Sequence, residues 1–237
     1  MERKEMRLVE WERLPKRMRN ESVRPYYDRL RVRKKDLAAK RAMDVAAGAV
    51  LTVILSPVML ILAAAIKIDS RGSVFFRQER ITQYGRSYRI FKFRTMVADA
   101  DKKGPAVTTS GDSRITRMGR LLRKCRLDEL PQLFNVLAGD MSFVGTRPEV
   151  KKYVDAYTEE MWATLLLPAG ITSRTSITYK DEDEVMEKYL KEGGTVDEVY
   201  IRHVLPEKMR YNLEYLKNFS IAGDIKVMID TVFAVIR

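Results

Sequence analysis

One cysteine, Cys125, and one histidine, His203, are all that 237 residues contain of either type. A single thiol excludes an internal disulfide framework and a cysteine-rich zinc module, and makes a reducing, cytosol-facing location the default. The single histidine excludes a histidine cluster for zinc, and a lone residue of either type is more often structural or solvated than chemical. Any metal is therefore expected to be a hard cation held by carboxylates and phosphate. Aromatic residues are also few, at 9%, and none of the usual nucleic-acid signatures occurs. No internal repeat is present.

What the chain has in excess is positive charge. Against 32 acidic side chains stand 44 lysines and arginines, a net charge of +12, which points to an anionic partner such as phosphate, nucleic acid or an acidic membrane surface. The length allows one substantial core or two small ones. Residues 1–41 hold much of the charge, as in "LPKRMRNESVRPYYDRLRVRKKDLAAKR". They read either as a solvated or disordered arm or as a segment lying on anionic lipid.

The charge then stops. "VAAGAVLTVILSPVMLILAAAI", Val45 to Ile66, carries no charged side chain. As a straight helix it would reach about 33 Å, against about 30 Å for a bilayer's hydrocarbon core. The basic arm before it, and the lack of a small-residue cleavage pattern after it, argue against a secretory signal. Ser56-Pro57 falls near its middle, where proline removes a backbone hydrogen bond and predicts a kink. Lys34, Lys35, Lys40 and Arg41 precede the segment, and Lys67, Arg71, Arg77 and Arg80 follow it. Positive flanks mark the cytoplasmic side. A segment that enters and returns satisfies both flanks, whereas a straight span places one outside. A serine hydroxyl can satisfy the backbone groups that the bend frees.

Beyond the membrane segment, "SVFFRQERITQYGRSYRIFKFRTM" alternates apolar and polar residues around Tyr84-Gly85 and predicts a hairpin. Residues 98–113 read as a polar loop. Ile115, Met118, Leu121 and Leu122 recur at helical spacing, and a second helical stretch runs from Pro131 to Leu137 before a turn at Gly139-Asp140. From Lys151 onward the chain reads as helix-rich, with loops at Pro168–Gly170 and Gly193-Gly194. Asp181 to Glu184 read as a solvated helix start. The last stretch, "SIAGDIKVMIDTVFAVIR", reads as a serine-capped amphipathic helix, packed on the core or lying in the membrane interface.

Two adjacent acids, Asp128 and Glu129, sit at the start of the Pro131 helix. The helix dipole alone would account for one of them. Adjacent residues point about 100° apart on a helix, so the two carboxylates address different partners. Arg123, Lys124 and Arg126 surround them with phosphate-binding groups. Carboxylates in such company are expected to keep low pKa values and stay ionised, fit to attack phosphorus or hold magnesium and poor as general acids.

"DSRGSVFFRQERI", "YRIFKFRTM", "ITRMGRLLRKCRLDELPQLFNVLAGDMSFVGTRPE", the Ser56-Pro57 pair and "YLKNFSIAGDIKVMIDTV" together resemble the bacterial sugar transferase family, the monotopic phosphoglycosyl transferases, from about Lys40 to the C-terminus. The resemblance implies transfer of a phosphosugar from a UDP-sugar to a polyprenyl (undecaprenyl) phosphate, releasing UMP and initiating glycan assembly at the cytoplasmic face of a bacterial inner membrane. It implies Asp128 as nucleophile of a covalent intermediate, Glu129 as the residue associated with Mg2+, and Arg94, Arg123 and Arg147 as phosphate or uridine contacts. Lys180 takes the place of a later family arginine, keeping the charge without the bidentate fork. Thr146 stands where the family has proline. The implied fold is α+β and mostly helical: a basic N-terminal extension (1–41), a re-entrant membrane helix (42–67) bent at Ser56 and Pro57, and a cytosolic catalytic domain (68–237) with a small β-hairpin and amphipathic interfacial helices. Nucleic acid is not an expected partner and self-association is left open. The competing readings are a non-catalytic basic module for membrane surfaces or nucleic acid, and a single-span protein with a structural soluble part.

Overall fold

In the computed structural model, residues 8–100, 112–178 and 182–236 are described. Two single turns, Trp11–Arg13 and Lys16–Met18, lead into helix α1 (Arg24–Arg31) and the long α2 (Lys34–Asp69). Strands β1 (Phe75–Ile81) and β2 (Ser87–Phe93) follow, then α3 (Arg117–Lys124), a turn at Leu127–Glu129, α4 (Gln132–Ala138), β3 (Met141–Val144) and α5 (Lys151–Val154). The chain continues through β4 (Ala169–Thr172), α6 (Arg174–Thr178), α7 (Glu182–Glu192), α8 (Val196–Val199), α9 (Leu205–Lys217) and α10 (Ile221–Ile236).

Residues 8–33 overturn the expectation of a solvated arm. Leu14, Met18, Val23, Tyr26, Tyr27 and Leu30 are buried in one cluster with residues of the C-terminal half such as Leu166, Leu216 and Phe219. The Tyr27 hydroxyl donates to the Val9 carbonyl, and the Val9 amide donates to the Tyr84 hydroxyl. The arginines and lysines between the apolar positions stay outside, so the composition reads basic while the segment packs.

Helix α2 runs without a break through Pro57. Proline cannot donate to the Val53 carbonyl, and the Ser56 hydroxyl donates to it instead at 2.8 Å. The helix is exposed and apolar in its middle, at Val50, Val53, Ile54, Leu60 and Ile61. On either side it packs. Gly48 lies against Val136 and Leu137 of α4, while Met59, Leu62 and Ile66 join Phe93 and Leu122. Ahead of the apolar stretch the fully buried Lys40 reaches the Val144 carbonyl at 2.7 Å and Asp224 of α10 at 2.5 Å.

The expected hairpin forms, with Phe75 opposite Phe93 and Ile81 opposite Ser87. Its turn uses positive φ at both Tyr84 and Gly85. Pro168–Gly170 is not simply a loop: Ala169 and Gly170 begin β4, which pairs parallel with β3. The final helix opens with Ser220 accepting from the Gly223 amide. It presents buried Asp224 and Val227 inward and Ile225, Ile229, Val232 and Phe233 outward.

Candidate active site

The acid pair is mounted by a reversal of the chain. Helix α3 stops at Cys125, Arg126 adopts a left-handed conformation (φ 55°), and Leu127–Glu129 form a single turn before Pro131 opens α4. Leu127 and Leu130, on either side of the acids, pack in the cluster that holds Met59, Leu62 and Ile66 of α2. The apolar helix is thus the support against which the acids are held.

The two carboxylates do address different partners. Glu129 Oε1 lies 2.8 Å from Lys92 Nζ and 3.5 Å from an Arg147 terminal nitrogen. Burial pushes the Glu129 carboxyl up, but Lys92 and then Arg147 outweigh it and hold the group down at about 2. Asp128 makes no hydrogen bond or ion pair with the side chain of another described residue, and only its own backbone hydrogen-bonds to it. Burial is the largest influence on it and raises its pKa, with Lys92 and Arg123 opposing and Glu129 reinforcing. The expectation that both acids keep low pKa values therefore holds for Glu129 and is corrected for Asp128, because desolvation outweighs the cations around it.

Lys92 stands on the hairpin face that also carries Arg80 and Ile90, and these three line a cleft with Glu129 and Arg147. Arg80 is fixed by two hydrogen bonds to Gln78 Oε1 and one to the Pro148 carbonyl. Arg147 reaches the cleft because β3 and β4 approach closely: a Cβ on Gly170 would lie 2.2 Å from the Gly145 nitrogen. Thr146 bonds through its hydroxyl to the Thr164 carbonyl. Two residues after Arg147, Glu149 is pinned by the Tyr200 hydroxyl at 2.8 Å and Lys208 at 3.2 Å.

Of the other expected site residues, Arg123 donates to Thr95 Oγ1 at 2.9 Å and acts on Asp128 through its charge. Arg94 is engaged elsewhere. Its guanidinium donates to the Ser70 and Arg71 carbonyls and to Ser70 Oγ, closing the end of α2, and Gly72 leaves the room for it. Lys180 lies outside the described residues. Sequence reasoning missed Lys92 and Arg80 as cleft residues; alternation from Ile90 places Lys92 on its face, and the pairing of Arg80 with Tyr88 adds Arg80.

Among the described residues no three histidine, cysteine or acidic side chains converge on a metal position. Both contacts to Glu129 use Oε1, leaving Oε2 and the Asp128 carboxylate. That donor set suits a magnesium ion of the kind held by one or two carboxylates and completed by substrate phosphates and water.

Known proteins resemble most of this chain in sequence. Residues 35–237 match the family model described as bacterial sugar transferase. The chain is 36% identical over 197 residues to the UDP-N-acetylgalactosamine-undecaprenyl-phosphate N-acetylgalactosaminephosphotransferase of Aeromonas hydrophila, covering 81% of this chain and 42% of that protein. It is 36% identical over 196 residues to a UDP-glucose:undecaprenyl-phosphate glucose-1-phosphate transferase of Caulobacter vibrioides, covering 81% and 68%. For the protein of the same name from Escherichia coli the identity is 33% over 198 residues, covering 82% and 39%. The chain thus spans about two fifths of the length of the Aeromonas and Escherichia relatives and about two thirds of the Caulobacter one.

Proposed function

The chain belongs to the bacterial sugar transferase family, and from that premise we propose that it transfers a phosphosugar from a UDP-sugar to a polyprenyl phosphate such as undecaprenyl phosphate, releasing UMP and starting assembly of a glycan. The observation that carries the reading is the contrast within the acid pair. Glu129 is neutralised by Lys92 and Arg147, whereas Asp128 is half-buried, near cations, and bonded to no other residue's side chain. An ionised carboxylate that no cation or side-chain donor holds directly keeps its lone pairs free for attack on phosphorus.

In this mechanism Asp128 Oδ attacks the phosphorus that carries the sugar. The new O–P bond forms as the bond to the bridging oxygen of the diphosphate breaks, and UMP leaves with the electron pair. Lys92, Arg147 and Arg80 line the cleft as phosphate ligands that neutralise the anion repelling the attack. A phosphate oxygen of the polyprenyl acceptor then attacks the same phosphorus, and Asp128 leaves as a free carboxylate. Glu129 Oε2 would hold magnesium together with diphosphate oxygens, and the ion would supply further charge neutralisation there.

The acceptor reading is supported by the packing on α2 of the turn that carries the acids, which seats the cleft beside a helix whose most apolar 18 residues have a mean hydropathy of 2.6. A re-entrant arrangement of α2 on the cytoplasmic leaflet, with α10 in the interface, fits the packing of both flanks of α2 on one body and the outward Ile229, Val232 and Phe233.

The test is mass spectrometry of protein incubated with a UDP-sugar and no acceptor. A phosphosugar adduct is expected on the peptide containing Asp128. Asp128→Asn is expected to remove the adduct and lower UMP release by at least about a thousandfold; full turnover by that variant would overturn the covalent mechanism.

A further inference from the structure

Beyond Arg147 the chain carries another acid that the proposed chemistry leaves unused. Glu149 is 3% exposed, and the two residues that hold it, Tyr200 and Lys208, are 2% and 4% exposed. The Tyr200 hydroxyl donates to Glu149 Oε1 at 2.8 Å, and Lys208 Nζ lies 3.2 Å from the same oxygen. Lys208 also donates to the Tyr200 hydroxyl at 2.6 Å, so the three groups form a closed triangle. The Tyr200 ring stacks on Tyr153 of α5, with centroids 4.3 Å apart. None of the three lines the cleft.

Stability alone does not call for these charges, because a buried ion pair replaced by well-packed apolar groups is often as stable or more so. What apolar groups could not supply is a fixed negative charge, and Arg80 on the cleft wall is placed to use one. The Pro148 carbonyl accepts from the Arg80 guanidinium at 3.2 Å, and the Glu149 carbonyl accepts from the Ile81 amide at 3.0 Å. The segment that bears the acid is therefore stitched to the end of β1 that bears the arginine. Burial disfavours the Arg80 cation, Glu149 is the largest charge in its favour, and Arg147 opposes it. Two arginines aimed at one diphosphate repel each other until it arrives. A counter-charge locked behind them offsets that repulsion in the empty cleft.

We infer that Glu149, locked by Tyr200 and Lys208, is a positioning residue that holds Arg80 in its phosphate-binding place while the cleft is empty; this rests on the UDP-sugar reading above. Glu149 touches no substrate and acts through Arg80. A guanidinium fixed in advance binds a diphosphate without first having to be ordered.

The experiment measures UDP binding by calorimetry to the full chain in detergent, for the wild type, Glu149→Gln, Arg80→Met and the double variant. Glu149→Gln keeps an oxygen for Tyr200 and Lys208 and removes the charge. It is expected to weaken UDP binding about tenfold. Arg80→Met should weaken it at least as much, and the double variant no more than about twofold further, because Glu149 has then lost the residue through which it acts. With the UDP-sugar that the wild type turns over, Glu149→Gln should raise KM about tenfold and leave kcat within about twofold, since the bound diphosphate itself orders Arg80. Tyr200→Phe keeps the ring on Tyr153 and loosens Glu149; it should weaken UDP binding about threefold, again only where Arg80 is present. That variant carries the same test if Glu149→Gln does not fold. Unchanged UDP affinity, a fall in kcat at constant KM, or a loss repeated in full on the Arg80→Met background would overturn the role of Glu149 and leave the transferase reading in place. A wild-type chain that binds no UDP would remove both.

Discussion

Lys92 Nζ lies 2.8 Å from Glu129 Oε1, and the same ammonium is the strongest favourable charge acting on Asp128. One lysine therefore serves two carboxylates with opposite outcomes, holding Glu129 down at about 2 while failing to offset the burial of Asp128. Attack on phosphorus requires Asp128 ionised. Its pKa is raised above the ordinary 3.8, so the acidic limb of UMP release should have its midpoint above that value. Lys92→Met should move the limb to still higher pH, because a cation favouring the ionised form is gone. The pH dependence of the first burst of UMP checks this, and a limb that stays put in the variant would sink it. The stability linkage runs the other way for Glu129. Its depressed pKa contributes stability present above the ordinary 4.5 and lost as pH falls toward about 2.

Lys40 and Asp224 form an ion pair with side chains 1% and 0% exposed. Asp224 also accepts from the Tyr215 hydroxyl at 2.9 Å, and Lys40 donates to the Val144 carbonyl. The pair joins α2 to β3, α9 and α10, fixing the apolar helix to the body that carries the cleft. Removing one partner leaves the other buried and uncompensated. Lys40→Met is expected to cost about 3–5 kcal/mol, read as a lowered unfolding midpoint in detergent. Adding Asp224→Leu should restore part of the loss, since a buried pair replaced by apolar groups is often tolerated; a double variant no more stable than the single would contradict this account.

Local signals made some of this visible in sequence and hid the rest. The hairpin was legible because Phe75 to Phe93 alternate around Tyr84-Gly85. Helix α2 was legible because charge vanishes over 22 residues from Val45 to Ile66, and the acid pair because two carboxylates stood among arginines. Residues 8–33 were not, since Leu14, Met18 and Leu30 are isolated among basic residues and much of their cluster, such as Leu166, Leu216 and Phe219, lies more than a hundred positions away. The β3–β4 pairing joins two four-residue strands separated by a long connection, too short for a periodic signal. For Arg94, residue type did not give direction: β2 ends at Phe93 and the next side chain turns to the end of α2. Charge identified the phosphate-binding class, but only strand register showed that Lys92 was the lysine beside the acids.

The close approach of β3 and β4 makes two glycines vulnerable. A Cβ on Gly170 would meet the Gly145 nitrogen at 2.2 Å and the Thr172 carbonyl at 2.5 Å, both backbone atoms that cannot swing aside. Gly170→Ala should therefore spread the strands, cost about 1–3 kcal/mol, and displace Arg147, two positions beyond Gly145. A raised KM for the UDP-sugar is the expected kinetic sign. Gly48→Ala is the contrast, because its new Cβ would meet the end of the Leu137 side chain at 3.2 Å, which a small rotation relieves. Equal losses at the two glycines would show that backbone crowding is not the cause.

The re-entrant reading of α2 rests on where the helix packs. Gly48 packs on α4, and Met59 packs with Phe93 and Leu122 on the same body. The ten intervening residues rise roughly 15 Å as a helix, about half of a bilayer's hydrocarbon core of about 30 Å. A helix anchored to one body at both ends of so short a stretch can dip into one leaflet, and its exposed Val53 and Ile54 are suited to do so. Crossing would require one of the two packed flanks to leave the body and carry its lysines through the membrane. With Cys125 replaced by serine, Lys35→Cys and Lys67→Cys should both be shielded from a membrane-impermeant maleimide in intact bacterial cells and both be labelled once the inner membrane is opened. Labelling of either cysteine in intact cells would place the two flanks on opposite faces and replace the re-entrant arrangement with a span.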